Sequence, residues 1–100
     1  DRIILLASII VFAPLFEEIF FRGYVFRNLR DKWGSVAAYW GSAFLFGMAH
    51  MDLHNLLPLT MIGFCLAYLY EHSGSLLVPI VVHGVWNSLT VMRVLTVMGD

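Results

Sequence analysis

Read from Asp1 onward, the chain alternates long apolar stretches with short polar breaks. Three stretches carry no Asp, Glu, Lys or Arg: Trp33 to Met51 (19 residues), Leu53 to Tyr70 (18) and Ser73 to Met92 (20). Each is long enough to cross the hydrocarbon core of a bilayer as a helix. Ahead of them, Arg2 to about Arg30 is apolar but interrupted by Pro14, Glu17, Glu18 and Arg22, which predicts a spanning helix with a fault in it. The pattern therefore predicts four helices.

The breaks set the boundaries. The segment Arg27 to Gly34 closes the first helix with charge and a glycine, and Ser35 is the expected N-cap of a second helix reaching about His50. Ala37 with Gly41, and Ala43 with Gly47, form two small-xxx-small pairs, which allow close backbone approach and predict a central place in a bundle. Met51 to Asn55 make a polar turn. A third helix is expected from about Leu56 to Glu71, with Pro58 in its first turn, and His72-Ser73-Gly74-Ser75 ends it. The fourth is expected over Leu77 to Met98, with Pro79 near its start. The predicted fold class is an all-α, multi-pass integral membrane bundle of about four transmembrane helices. Residues 1–100 are read as a single domain, expected to be a piece of a longer protein because the chain opens at Asp1 rather than Met.

Composition supports this reading and removes other ones. Hydrophobic residues make up 60% and charged residues 13%, about half the charged share of a soluble domain. A net charge of −1 offers no footprint for nucleic acid, so none is expected as a partner. Cys65 stands alone and cannot form an internal disulfide. There is no glycine-rich phosphate loop and no repeat. Alternation of spans puts the Arg27–Gly34 and His72–Ser75 turns on one side of the membrane, where Tyr24, Trp33, Tyr68 and Tyr70 form an interfacial belt. Arg27, Arg30 and Lys32 make that side the expected cytoplasmic one.

Ionisable groups inside a bilayer cost roughly 2.5–3.5 kcal/mol each on insertion scales, which makes Glu17, Glu18, Arg22, His50 and His83 functional candidates. Counting about 1.5 Å per residue from the common turn side, Glu17 lies roughly 21 Å along its helix and His50 roughly 22 Å along the next. His83 and Asn87 lie at roughly 12 and 18 Å, so all four are expected to share one layer. Glu18 and Arg22 are spaced i, i+4 and predict an internal ion pair. Glu17 is turned about 100° away from Glu18 and has no local counter-ion, the situation of a general base. His83 and Asn87 are again i, i+4, two polar heads on one stripe able to hold an oxyanion. Water activation by Glu17 and His50 combined with carbonyl polarisation by His83 and Asn87 meets the needs of amide hydrolysis.

Glu17-Glu18-Ile19-Phe20-Phe21-Arg22 resembles an EExxxR motif, Phe46-Gly47-Met48-Ala49-His50 an FxxxH motif, and His83-Gly84-Val85-Trp86-Asn87 an HxxxN motif. Their order and spacing resemble the CPBP family, which comprises type II CAAX prenyl endopeptidases and intramembrane proteases of bacteriocin-processing and immunity type. The resemblance runs from Pro14 to Asn87. It implies an intramembrane endopeptidase in which Glu17 and His50 activate the hydrolytic water and His83 and Asn87 hold the oxyanion, with Glu18, Arg22 and Phe46 in support. The implied substrate is a membrane-associated peptide or lipidated, CAAX-type protein, and the other implied partner is the lipid bilayer. Zinc held by Glu17, His50 and His83 is the alternative; the metal-free reading is preferred because Asn87 suits hydrogen bonding better than zinc.

Other readings stand beside these. Glu18 and Arg22 serve equally as a packing pair, His83 and Asn87 as interhelical glue, and His50 as a helix end at the interface. A non-catalytic scaffold or immunity-type protein would use the same pocket to bind a peptide or lipid, and a transporter would relay protons through the same Glu and His residues. His50 and His54 lack the glutamate that follows the first histidine in zincins, and neither Cys65 nor Ser88 lies in a nucleophile motif.

Overall fold

The computed structural model describes residues 1–99. Helix α1 runs Arg2–Trp33, α2 Ser35–Ala49, α3 Leu56–Ser73 and α4 Leu77–Gly99, with a 3-10 turn at Leu53–Asn55 leading into α3. There is no strand among the described residues. Helices α1 and α4, and α3 with its leading turn, are long and apolar enough to cross a membrane. The chain is a multi-pass integral membrane protein.

The expectation of four spans needs correction at α2. Its 15 residues give about 22 Å of helix, short of a core about 30 Å thick. The apolar run from Trp33 to Met51 is longer than the helix because its ends have other duties. Trp33 closes α1, and Gly34 at φ 89°, ψ 176° forms the joint between α1 and α2. At the far end, Met51 turns out of the helix at φ 53°. Ser35 is not the N-cap that was expected: it is the first helical residue, and Gly34 occupies the cap position without a side-chain bond. At Gly74 the left-handed conformation (φ 68°) ends α3 as anticipated.

The fault in α1 takes the form of two π-helical segments, Ser8–Phe12 and Phe21–Phe26, on either side of the Pro14–Phe20 stretch. Its origin is local. The Ala13 N–H bonds Ser8 O, and Pro14 has no N–H, so the Ile9 carbonyl loses both of its nearest helical partners. Asn87 of α4 supplies the missing donor, Nδ2 to Ile9 O at 2.9 Å. Gly84, one turn earlier on α4, lies so close to α1 that a Cβ there would sit 2.9 Å from Ile10 O.

Polarity runs from wet inside to apolar outside. Glu18 and Arg22 are fully buried, while Ile3, Phe16 and Met61 are exposed at 78%, 66% and 62%. A bilayer favours this arrangement, because the outward apolar surface meets lipid and the charges meet each other. The interior is made of two small clusters, Phe21 with Phe46 and Leu66, and Phe26 with Ala38 and Ala67. Helices α2 and α3 approach through glycines: a Cβ on Gly47 would meet Thr60 Oγ1, and one on Gly63 would stand 2.9 Å from the Phe46 ring. Gly41 faces Leu29 of α1, so the two small-residue pairs serve different neighbours and α2 is the central helix.

Polar ties hold the ends. Arg30 Nη1 meets Glu71 Oε1 at 2.6 Å, fastening α1 to α3 beside the Gly34 and Gly74 turns. On the opposite end Asp52 accepts from Asn55 Nδ2 at 2.7 Å and from the His54 N–H at 3.1 Å. The Asn55 amide foremost, with backbone N–H groups assisting, holds the Asp52 carboxyl below the usual carboxylate range.

Candidate active site

Two consecutive carboxylates of α1 grip one imidazole of α4. Their side chains leave the helix about 100° apart, so they reach different atoms of the same ring. Glu18 Oε2 lies 2.8 Å from His83 Nδ1, and Glu17 Oε1 lies 4.0 Å from His83 Nε2. Glu18 also meets Arg22 Nε through Oε1 at 3.3 Å, confirming the i, i+4 pair. Arg22 is held in turn by the Gly63 carbonyl of α3, to which Nη2 donates.

His50 closes α2 and comes from the other side. Its Nε2 is 4.0 Å from Glu17 Oε1, and its Nδ1 is 2.8 Å from the Phe46 carbonyl one turn back. A carbonyl only accepts, so Nδ1 of His50 carries the proton. The Glu18 carboxylate likewise takes the Nδ1 proton of His83. Both rings therefore turn Nε2 toward Glu17, across gaps too long for a direct hydrogen bond and suited to a bridging water. Glu17 and His50 are partly open, with side chains about a third exposed, whereas His83 is buried.

Phe46 is the common floor. Its ring centroid lies 4.8 Å from that of His50 and 5.8 Å from that of His83, and the Arg22 guanidinium sits 4.9 Å above it. The three motifs thus converge through one aromatic ring, which is itself 1% exposed. Beside His83 opens an apolar cavity of about 270 Å³ between α3 and α4.

Glu17, His50 and His83 are brought together as the spacing predicts; Glu18, Arg22 and Phe46 surround them. Asn87 sits one turn beyond His83, with one of its two amide N–H bonds committed to Ile9. Sequence reasoning missed the Glu18–His83 bond, the Ile9 acceptor and the Gly63 acceptor. The first joins residues 65 apart in the chain, and the other two are backbone carbonyls with no side-chain signature. Only Pro14 hinted at a free carbonyl nearby.

The alternative of a metal held by Glu17, His50 and His83 does not fit this arrangement. Among the described residues no group of three His, Cys, Asp or Glu is placed to hold an ion. The separations of 4.0 Å from Glu17 Oε1 to each Nε2 exceed the about 3.4 Å edge of a tetrahedral N/O site.

Comparison with known proteins agrees with this geometry. Residues 1–89 match the family described as type II CAAX prenyl endopeptidase Rce1-like. The chain is 37% identical over 89 residues to a protein of Bacillus subtilis (strain 168) named "Putative membrane peptidase YdiL", covering 89% of this chain and 36% of that protein. It is 33% identical over 88 residues to an "Uncharacterized 24.3 kDa protein" of Escherichia coli, covering 83% of this chain and 41% of that one. The chain thus spans less than half the length of these relatives. No solved structure matches it. With the glutamates of α1 and the histidines of α2 and α4 meeting over Phe46, and a family match running almost end to end, the chain belongs to the CPBP, or Rce1-like, CAAX protease family.

Proposed function

We propose that this chain is the hydrolytic core of an intramembrane endopeptidase that cleaves a peptide bond of a membrane-associated or lipidated, CAAX-type substrate with activated water. The observation that carries this reading is the placing of Glu17 Oε1 at 4.0 Å from Nε2 of both His50 and His83, each ring fixed at Nδ1 by another partner. Water held among these three atoms gives a proton to Glu17, with His50 accepting from it, and its oxygen attacks the carbonyl carbon. The negative charge on the carbonyl oxygen is met by His83 and by the free N–H of Asn87.

His83 donates from Nε2 only when its ring carries a second proton, and Glu18 is the counter-charge for that state. Glu17 and Glu18 against Arg22 leave one excess negative charge in the cluster; an imidazolium cancels it. As the tetrahedral intermediate collapses, the C–N bond breaks and the proton held by Glu17 passes to the leaving amine.

The test is release of a quenched fluorescent peptide by the full-length protein in liposomes. Glu17→Gln removes the base and keeps the shape, and the expected loss is about a hundredfold or more, with unchanged insertion and thermal stability. Undiminished cleavage by a well-folded Glu17→Gln protein sinks the mechanism.

A further inference from the structure

Two cavities lie in line between α3 and α4. The apolar one beside His83 is about 270 Å³; the next, about 400 Å³, is lined by Asn55, Thr90 and Arg93 among others. Ile62 of α3 and Trp86 of α4 line both, so the two form one trough. Along α4 it follows His83, Trp86, Thr90 and Arg93, steps of three or four residues that define one face of a helix. The trough begins at the proposed reaction centre and ends at a cation.

That cation is otherwise unexplained. Arg93 is the only Asp, Glu, Lys or Arg in α4, and among the described residues it makes no salt bridge. Its neighbour across the trough, Asn55, belongs to the polar turn at the end of the bundle, so the charge sits at the bilayer boundary while His83 sits within. Ten residues of helix separate His83 from Arg93, about 15 Å along the axis. An extended peptide covers that distance with about four residues.

We infer that Arg93, with Asn55 and Thr90 beside it, receives the C-terminal α-carboxylate of the peptide substrate, whose last residues lie along the trough from a scissile bond at His83. Arg93 is on this view a specificity-determining residue, reading how far the cut lies from the chain end. It falls outside residues 1–89, the part matched to the family. The inference rests on the hydrolytic reading above and adds the substrate's free terminus to it.

The test pairs two peptides of one sequence, one ending in a carboxylate and one in an amide, with the full-length protein in liposomes of neutral lipid. A charge-assisted contact predicts that the wild type favours the acid about tenfold, through KM rather than kcat, and that Arg93→Gln cleaves acid and amide equally. An Arg93→Gln protein that keeps the acid preference overturns the inference. So does a loss equal for both peptides that grows with anionic lipid, which would make Arg93 a headgroup contact. Binding of the same peptides to Glu17→Gln, by fluorescence anisotropy, separates the two levels. If wild type never cleaves but the acid binds more tightly in an Arg93-dependent way, hydrolysis fails and the carboxylate site stands. No acid–amide difference in binding rejects the site itself.

Discussion

His83 is committed at one ring nitrogen and poised at the other, and the residue that commits it, Glu18, is also the partner of a buried arginine. Removing the charge from Glu18 while keeping its shape therefore has two consequences of different kind. Glu18→Gln still accepts the Nδ1 proton of His83, but leaves Arg22 buried without its counter-charge, and breaking such a pair costs about 3–5 kcal/mol. The expected outcome is a lower unfolding temperature in detergent together with a fall in kcat. A Glu18→Gln, Arg22→Met protein is expected to regain the stability and not the activity, since only the former depends on balanced charge. Recovery of both would reduce Glu18 to a packing residue. At this scale much was legible in the sequence: an ionisable residue in an apolar run announces itself, and Glu18–Arg22 follows from helix spacing. What escaped is which carboxylate touches which nitrogen, because that depends on how α1 and α4 are rotated against each other across 65 residues of chain.

Among the helices, the informative one is α1, whose irregularity lies beside the site. Pro14 and the π-helical Ser8–Phe12 segment together leave Ile9 O for Asn87, so a defect in one helix becomes a socket for another. Pro14→Ala returns an N–H to α1 and removes the residue least favourable to a helix interior. The expected result is a more stable protein with a less active site, because the regained N–H competes with Asn87 for the carbonyl. Thermal unfolding and peptide release measured on the same preparation check this; gains in both would deny the fault any part in the chemistry. The sequence marked the fault but not its π form, which needs the register of hydrogen bonds. Helix ends at Gly34 and Gly74 were readable because glycine tolerates positive φ, whereas the length of α2 was overestimated because an apolar run says nothing of where the backbone turns.

For the molecule as a whole, the inward charges and outward hydrocarbon fix how it sits in lipid. The Gly34 and Gly74 turns lie at one end, tied by Arg30 to Glu71, and the Met51–Asn55 turn at the other. With Cys65 replaced by serine, single cysteines at Lys32 and Ser73 are expected to react with a membrane-impermeant thiol reagent from the same face of a sealed vesicle, and one at His54 from the opposite face. Labelling of all three from one face would mean that α2 and α3 dip into the bilayer and return. The joint at Gly34 bears on how this arrangement is reached. A single residue separates Trp33 from Ser35, so α2 cannot be threaded independently: whatever machinery delivers the long first helix into lipid receives its short successor as the second arm of a hairpin. The shortest helix, which alone would hold a bilayer poorly, is carried in by its neighbour, bringing the His50 ring to where Glu17 waits.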